Sequence, residues 1–157
     1  LIPIELPDFP TQLLSFVLQA EAAAAFDELT RTNKDDKMVR QVQNAWPNVF
    51  REARFIPAVE YINANRARTL LNQKMAILME TIDVYLIPSF YGDNLLRTNL
   101  TGHPCVVVPN GFNDKGRPTS ISFIGDLYED GNVLAMAKAY QETTDWHKQY
   151  PPKFKIE

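Results

Sequence analysis

Asn99-Leu100-Thr101-Gly102-His103-Pro104-Cys105-Val106-Val107-Val108-Pro109-Asn110-Gly111-Phe112 is followed by Asn113-Asp114-Lys115-Gly116-Arg117-Pro118 and then Thr119-Ser120-Ile121-Ser122-Phe123-Ile124-Gly125. Cys105 to Val108 is a short apolar run bounded by prolines, the pattern of a strand buried on both faces. Cys105 then sits in a core strand, where a free thiol behaves as a small hydrophobe. The Asn-Asp-Lys-Gly tract is turn chemistry, since Asn and Asp tolerate and Gly prefers positive φ. Ile121 to Ile124 is a second run of β-branched and aromatic residues. The pair reads as a hairpin. Upstream, Asp83-Val84-Tyr85-Leu86-Ile87-Pro88 reads as a third buried strand that stops at its proline. The fold class is α/β, with strands over about 84–88, 105–109 and 119–124 covered by long helices.

Working outward, four pieces resemble, in order, the C-terminal part of the amidase signature family, serine amide hydrolases that include the A subunit of tRNA-dependent amidotransferases. They are Asp83 to Ser89, Asn99 to Gly111, Gly116 to Gly125 and Asp130 to His147. The resemblance implies that residues 1–157 are the C-terminal fragment of one amidase signature domain, contributing strands of a mixed sheet. It also implies that the complete protein hydrolyses carboxylic amides through an acyl-enzyme. The family's catalytic serine, bridging serine and lysine lie in the N-terminal half, around a Gly/Ser-rich loop whose amides form an oxyanion hole. This chain has six glycines, none adjacent, and no such loop. Ser120 and Ser122 stand where the family has glycine and glutamine, without a lysine neighbour in sequence. The chain alone is therefore expected to lack the catalytic residues and to be inactive. Its partners are expected to be a small amide substrate and the missing N-terminal half. An uncovered apolar face would make the fragment dimerise. No cofactor is expected.

Composition agrees with a globular chain of 157 residues, 45% hydrophobic, with net charge −3. A chain of that length can bury ~70% of its extended surface in one domain. Mixed charge gives no reason to expect nucleic acid or an anionic membrane as a direct partner. No apolar run approaches the ~20 residues of a membrane span. No signal peptide is visible, and the single cysteine suits a reducing compartment, so a cytoplasmic location is expected. The absence of an initial methionine suggests a piece of something longer.

Two residues are candidate substrate-binding groups. Apolar residues run from Phe55 to Ile82 at helical spacing, with Pro57 in the first turn. Ala64, Ala67, Leu71, Met75, Leu78 and Ile82 form one stripe, and Arg68 falls inside it while Arg66 faces outward. A guanidinium there must find acceptors. It reads first as a structural ion pair, with Asp83 or Glu80. The resemblance of Ala64 to Leu70 to the family's A-Q-K-V-R-T-L pattern implies instead that Arg68 binds an acidic substrate's carboxylate. Asp93, in the loop after the strand at 84–88, reads first as the cap of a short helix over Leu95 to Leu100 or as a residue that solvates the loop. The resemblance implies that it receives a substrate amine, although it stands one residue out of register.

The remaining expectations are structural. Residues 2–7 read as an edge strand. Asp8 caps a helix that runs to Leu29 and is apolar nearly all round, hence buried. Glu21 inside it reads first as a carboxylate paired with a neighbouring donor or lying at an exposed seam, and otherwise as a buried one with a shifted pKa. Met38 to Phe50 reads as a helix broken near Pro47. His103 reads as a packed histidine, not a metal ligand. A last helix spans Asp130 to His147, with Val133, Leu134, Ala137 and Tyr140 on its buried edge. Lys153 to Glu157 reads as a loose tail. Two other functions stay open: the glutamine-hydrolysing A subunit of a tRNA-dependent amidotransferase, which Arg68 and Asp93 would serve, and a non-catalytic binding module.

Overall fold

The structure, a computed structural model, describes residues 1–151 and 154. The tail expected from Lys153 onward falls almost wholly outside the described residues. Two compact units are present: Leu1–Asp8 with Asn72–Glu157, and Phe9–Leu71.

The unit Phe9–Leu71 is helical. A 3₁₀ turn, Thr11–Leu14, leads into α1 (Phe16–Ala25) and α2 (Asp27–Arg31). The single helix expected here is thus interrupted at Ser15 and Phe26, the latter at φ −105°, ψ 24°. Pro10, not Asp8, stands at the first cap, with no side-chain bond. The expected burial also fails: Leu13, Leu18 and Phe26 are all more than half exposed, and only Val17 and Ala23 of α1 are buried. α3 (Trp46–Ala53) follows a non-helical stretch, and Pro47 starts this helix where a break was expected. Proline fits the first turn, whose N–H groups lack partners anyway. Ala23, Phe50 and Ala53 form the local core, with Phe26 and Trp46 each stacked on Phe50 at 5.5 Å. Asp35 is buried and ion-paired to Arg51 at 2.6 Å.

α4 (Ala58–Met79) starts in this unit and crosses the division at Leu71/Asn72. Its expected stripe is present: Ala64, Leu71 and Met75 are buried, and Arg66 is exposed.

The other unit holds a three-stranded sheet in the order β1-β3-β2. The strands are β1 (Val84–Pro88), β2 (Cys105–Phe112) and β3 (Pro118–Gly125), and both pairings are antiparallel. The parallel pairings of a mixed sheet do not occur among the described residues. The hairpin turn forms as its residues demand: Asn113 Oδ1 accepts from the N–H of Lys115 and Arg117, and Gly116 has φ +69°. A bulge falls between Pro109 and Gly111, and the Trp146 ring lies 3.8 Å from where a Gly111 Cβ would stand. α5 (Asn94–Thr101) joins β1 to β2 and ends on Gly102 at φ +82°.

α6 (Asp130–Glu142) covers one sheet face, packing Val133 and Ala137 on Val108 and Phe123. It ends five residues before His147, where Thr143 and Thr144 hydroxyls turn back to the Ala139 and Tyr140 carbonyls. Such back-bonding competes with helix propagation. Leu134, expected inside, is exposed. Burial on β2 alternates, with Val108 buried and Val107 and Cys105 exposed. The expectation of a strand buried on both faces, with Cys105 in the core, is therefore corrected. The covering helix reaches only one face of this edge strand. Residues 2–7 form no strand; their prolines remove ladder donors.

Candidate functional site

Within the helical unit, Arg68 meets neither Asp83 nor Glu80. Its guanidinium lies 3.7 Å from Glu21 Oε1, and both side chains are partly exposed. The Tyr61 hydroxyl donates to the same oxygen at 3.1 Å. Glu21 is thus paired with neighbouring donors, in line with the first of its two expected roles. Glu21 and Tyr61 also line a cavity of about 410 Å³, with Ala20, Ala23, Ala24 and Ile56 as apolar walls. At its rim Asp27 is bridged by Arg31 and Arg54, and bonding to Arg31 holds its carboxyl below the usual range.

Within the sheet unit, Asp93 stands at the cap position of α5 but makes no side-chain cap bond. Its carboxylate instead accepts from Arg97 Nη2 at 3.3 and 3.4 Å. Sequence reasoning missed Arg97. Its side chain is only 5% exposed, its Nη1 donates to the Pro7 carbonyl at 2.8 Å, and its Nε is buried without a partner. The available signal was the four-residue spacing from Asp93, which puts both on one helix face.

Further polar groups lie around the strands. Ser122 is buried on β3, and its hydroxyl bonds that of Ser89 at 2.8 Å. Burial pushes the Cys105 thiol above its ordinary 9.0, against the opposing hydrogen bond from Ser122. No lysine reaches a serine hydroxyl among the described residues, so neither Ser120 nor Ser122 has a base to activate it. His103 is buried; the Thr101 hydroxyl donates to the Arg97 carbonyl, so His103 Nδ1–H donates to Thr101 Oγ1 at 2.8 Å. Its unpartnered Nε2 then faces Asp126 at 3.8 Å. Burial lowers the His103 pKa, and the Asp126 charge opposes the shift. The phenol of Tyr85, pushed up by burial, donates to Asn94 at 2.9 Å. No group of three or more His, Cys, Asp or Glu side chains suited to a metal occurs among the described residues. No described helix is long and apolar enough to cross a membrane.

No protein-family profile matches the chain. It is 30% identical over 111 residues to the A subunit of the glutamyl-tRNA(Gln) amidotransferase of Rippkaea orientalis, covering 59% of this chain and 23% of that protein. It is 43% identical over 56 residues to the corresponding protein of Bordetella avium, covering 36% of this chain and 11% of that one. The match thus spans about a quarter or less of these curated relatives. Among solved structures, a bacterial aryl acylamidase of the amidase signature family superposes with TM-score 0.71 at 17% identity, covering 94% of this chain and 36% of that one. A crystal structure of an amidase gives 0.75 at 17% identity, covering 89% and 37%. The allophanate hydrolase of Kluyveromyces lactis gives 0.64 at 19% identity, covering 87% and 26%. In sequence and in fold, the chain matches the C-terminal part of amidase signature proteins.

Proposed function

We propose that residues 1–157 are the C-terminal fragment of a single amidase signature domain, and that the complete protein hydrolyses carboxylic amides through a serine acyl-enzyme. The observation that carries this reading is the asymmetry of the match: nearly all of this chain superposes on little more than a third of an amidase. The absence of any lysine-partnered serine among the described residues supports placing nucleophile, bridging serine and lysine in the missing half. This chain then supplies sheet core and part of the substrate pocket; Arg68 and Asp93, each taken by itself, are its candidate substrate-binding residues. Exposed Leu13, Leu18 and Phe55 in the helical unit, and exposed Val107 and Leu134 in the sheet unit, support apolar surface that the missing half covers and that self-associates when the half is absent. The unpaired Cys105 supports a reducing cytoplasm.

The test is hydrolysis of a panel of primary amides by the complete reading frame and by this chain alone. Turnover by the first and not the second is expected; turnover by the chain alone refutes the reading. Light scattering showing a monomer that binds no hydrophobic dye would count against the uncovered face. A second reading, the glutamine-hydrolysing A subunit of a tRNA-dependent amidotransferase, is favoured by the likeness to the Rippkaea and Bordetella proteins. Glutamine turnover that rises when the other amidotransferase components are supplied would support it.

A further inference from the structure

We infer that the cavity of the helical unit is a binding site in its own right, for a small uncharged aromatic molecule that carries one N–H or O–H donor. The inference does not rest on the amidase reading.

Every residue of the cavity wall lies in the unit Phe9–Leu71. Ala20, Ala23 and Ala24 stand three and four positions apart on α1, so they turn one face of the helix to it. Ala23 and Ala53 are buried, as part of the core around Phe50. Alanine stops at Cβ, so the packing ends there and a hollow of about 410 Å³ stays open. Small-molecule sites span ~300–1,000 Å³ and are mostly apolar. Tyr61 adds the one aromatic ring of the wall. A ligand ring can meet it by offset stacking or edge contact.

The polar groups at the wall are few and not equivalent. Asp27 is bridged by Arg31 and Arg54, which commits the Arg54 guanidinium as well. Glu21 is held at one oxygen only. The Tyr61 hydroxyl donates to its Oε1 at 3.1 Å, and Arg68 stands 3.7 Å from the same atom. Among the described residues nothing bonds Oε2. The wall thus sets a positioned acceptor beside an apolar hollow, the combination that orients a small ligand. A ligand carboxylate would meet the Glu21 charge, and like charges brought together exclude a ligand. A ligand ammonium would share Glu21 with Arg68 and lose its hydration. An uncharged donor bears neither cost.

The experiment titrates the complete protein, read by saturation-transfer NMR, with four probes: indole, benzofuran, indole-3-acetate and tryptamine. Benzofuran has the shape of indole without the N–H. Indole is expected to bind about tenfold more tightly than benzofuran, the worth of one hydrogen bond to a half-exposed charged acceptor. It is also expected to bind more tightly than either charged relative. Glu21→Ala should abolish the preference for indole while benzofuran stays bound. Ala24→Leu, at an exposed helical position that leucine suits, should fill the hollow and weaken both by about tenfold or more. Equal binding of indole and benzofuran, a preference that survives Glu21→Ala, or binding untouched by Ala24→Leu overturns the inference. Loss of benzofuran in Glu21→Ala overturns it as well, since Glu21 would then shape the hollow rather than hold the ligand. Binding of none of the four probes to the complete protein also overturns it, because the rest of the domain would then fill the hollow.

Discussion

Asp93→Ala should be one of the most destabilising single changes on the surface of the sheet unit, although Asp93 itself is a quarter exposed. Arg97 is the reason. Removing one member of a buried pair costs about 3–5 kcal/mol because the other is left charged and unmatched. Asp93 is open enough for water to screen part of the loss, and Arg97 keeps the Pro7 carbonyl, so the expected cost is about 3 kcal/mol. Asp93→Ala with Arg97→Met removes both charges and should cost only about 1 kcal/mol. Urea unfolding read by Trp146, which lies over Gly111 of β2, reports on this unit once Trp46 is replaced by phenylalanine. With a slope of about 2 kcal/mol per molar urea, the single variant should lose about 1.5 M in midpoint. A loss under about 0.3 M, or a double variant worse than the single one, would refute the claim that Asp93 is the obligatory partner of a buried cation.

Gly125→Ala should destabilise by about 2 kcal/mol, since a Cβ there would stand 2.3 Å from Val133 Cγ2, and Val133→Ala added to it should restore part of the loss by thermal melting. For His103 the folded pKa lies below the unfolded one, so the unfolded chain binds the extra proton. Its contribution is therefore complete above the unfolded pKa and is lost as pH falls from there through the folded one. Denaturation curves should lose up to about 1.4 kcal/mol per pH unit below pH 6.5, and His103→Gln should flatten that slope. Iodoacetamide should label Cys105 with a pH midpoint above 9.0, despite its exposure. Ser122→Ala should move the midpoint higher, because the lost bond favours the thiolate.

The strands, the Asn113–Arg117 turn and the long helix were legible because each is written in local chemistry: apolar runs ended by proline, turn residues, and a stripe repeating at helical spacing. The interruptions at Ser15 and Phe26 carry no glycine or proline and left no local mark. The reversed role of Pro47 depended on where the helix began, which pattern alone does not fix. Cys105 and Leu134 look like core residues in an apolar pattern, but both are exposed, because the pattern does not say which face a neighbouring element covers. For the site, Arg68 and Asp93 could be picked out as charges in unusual places. Arg97, four positions from Asp93, carried a signal that was missed, but the partner of Arg68 carried none, since Glu21 is forty-seven positions away, and the Pro7 carbonyl that Arg97 also holds is ninety positions away. Only folding brings such pairs together.

A fluorophosphonate probe, which phosphonylates activated serines with loss of fluoride, gives the most direct measurement. The complete protein should be labelled once, and peptide mapping should put the adduct on a serine outside residues 1–157, while this chain alone stays unlabelled. An adduct on Ser89, Ser120, Ser122 or any other serine of this chain, or none on the complete protein, would contradict the account.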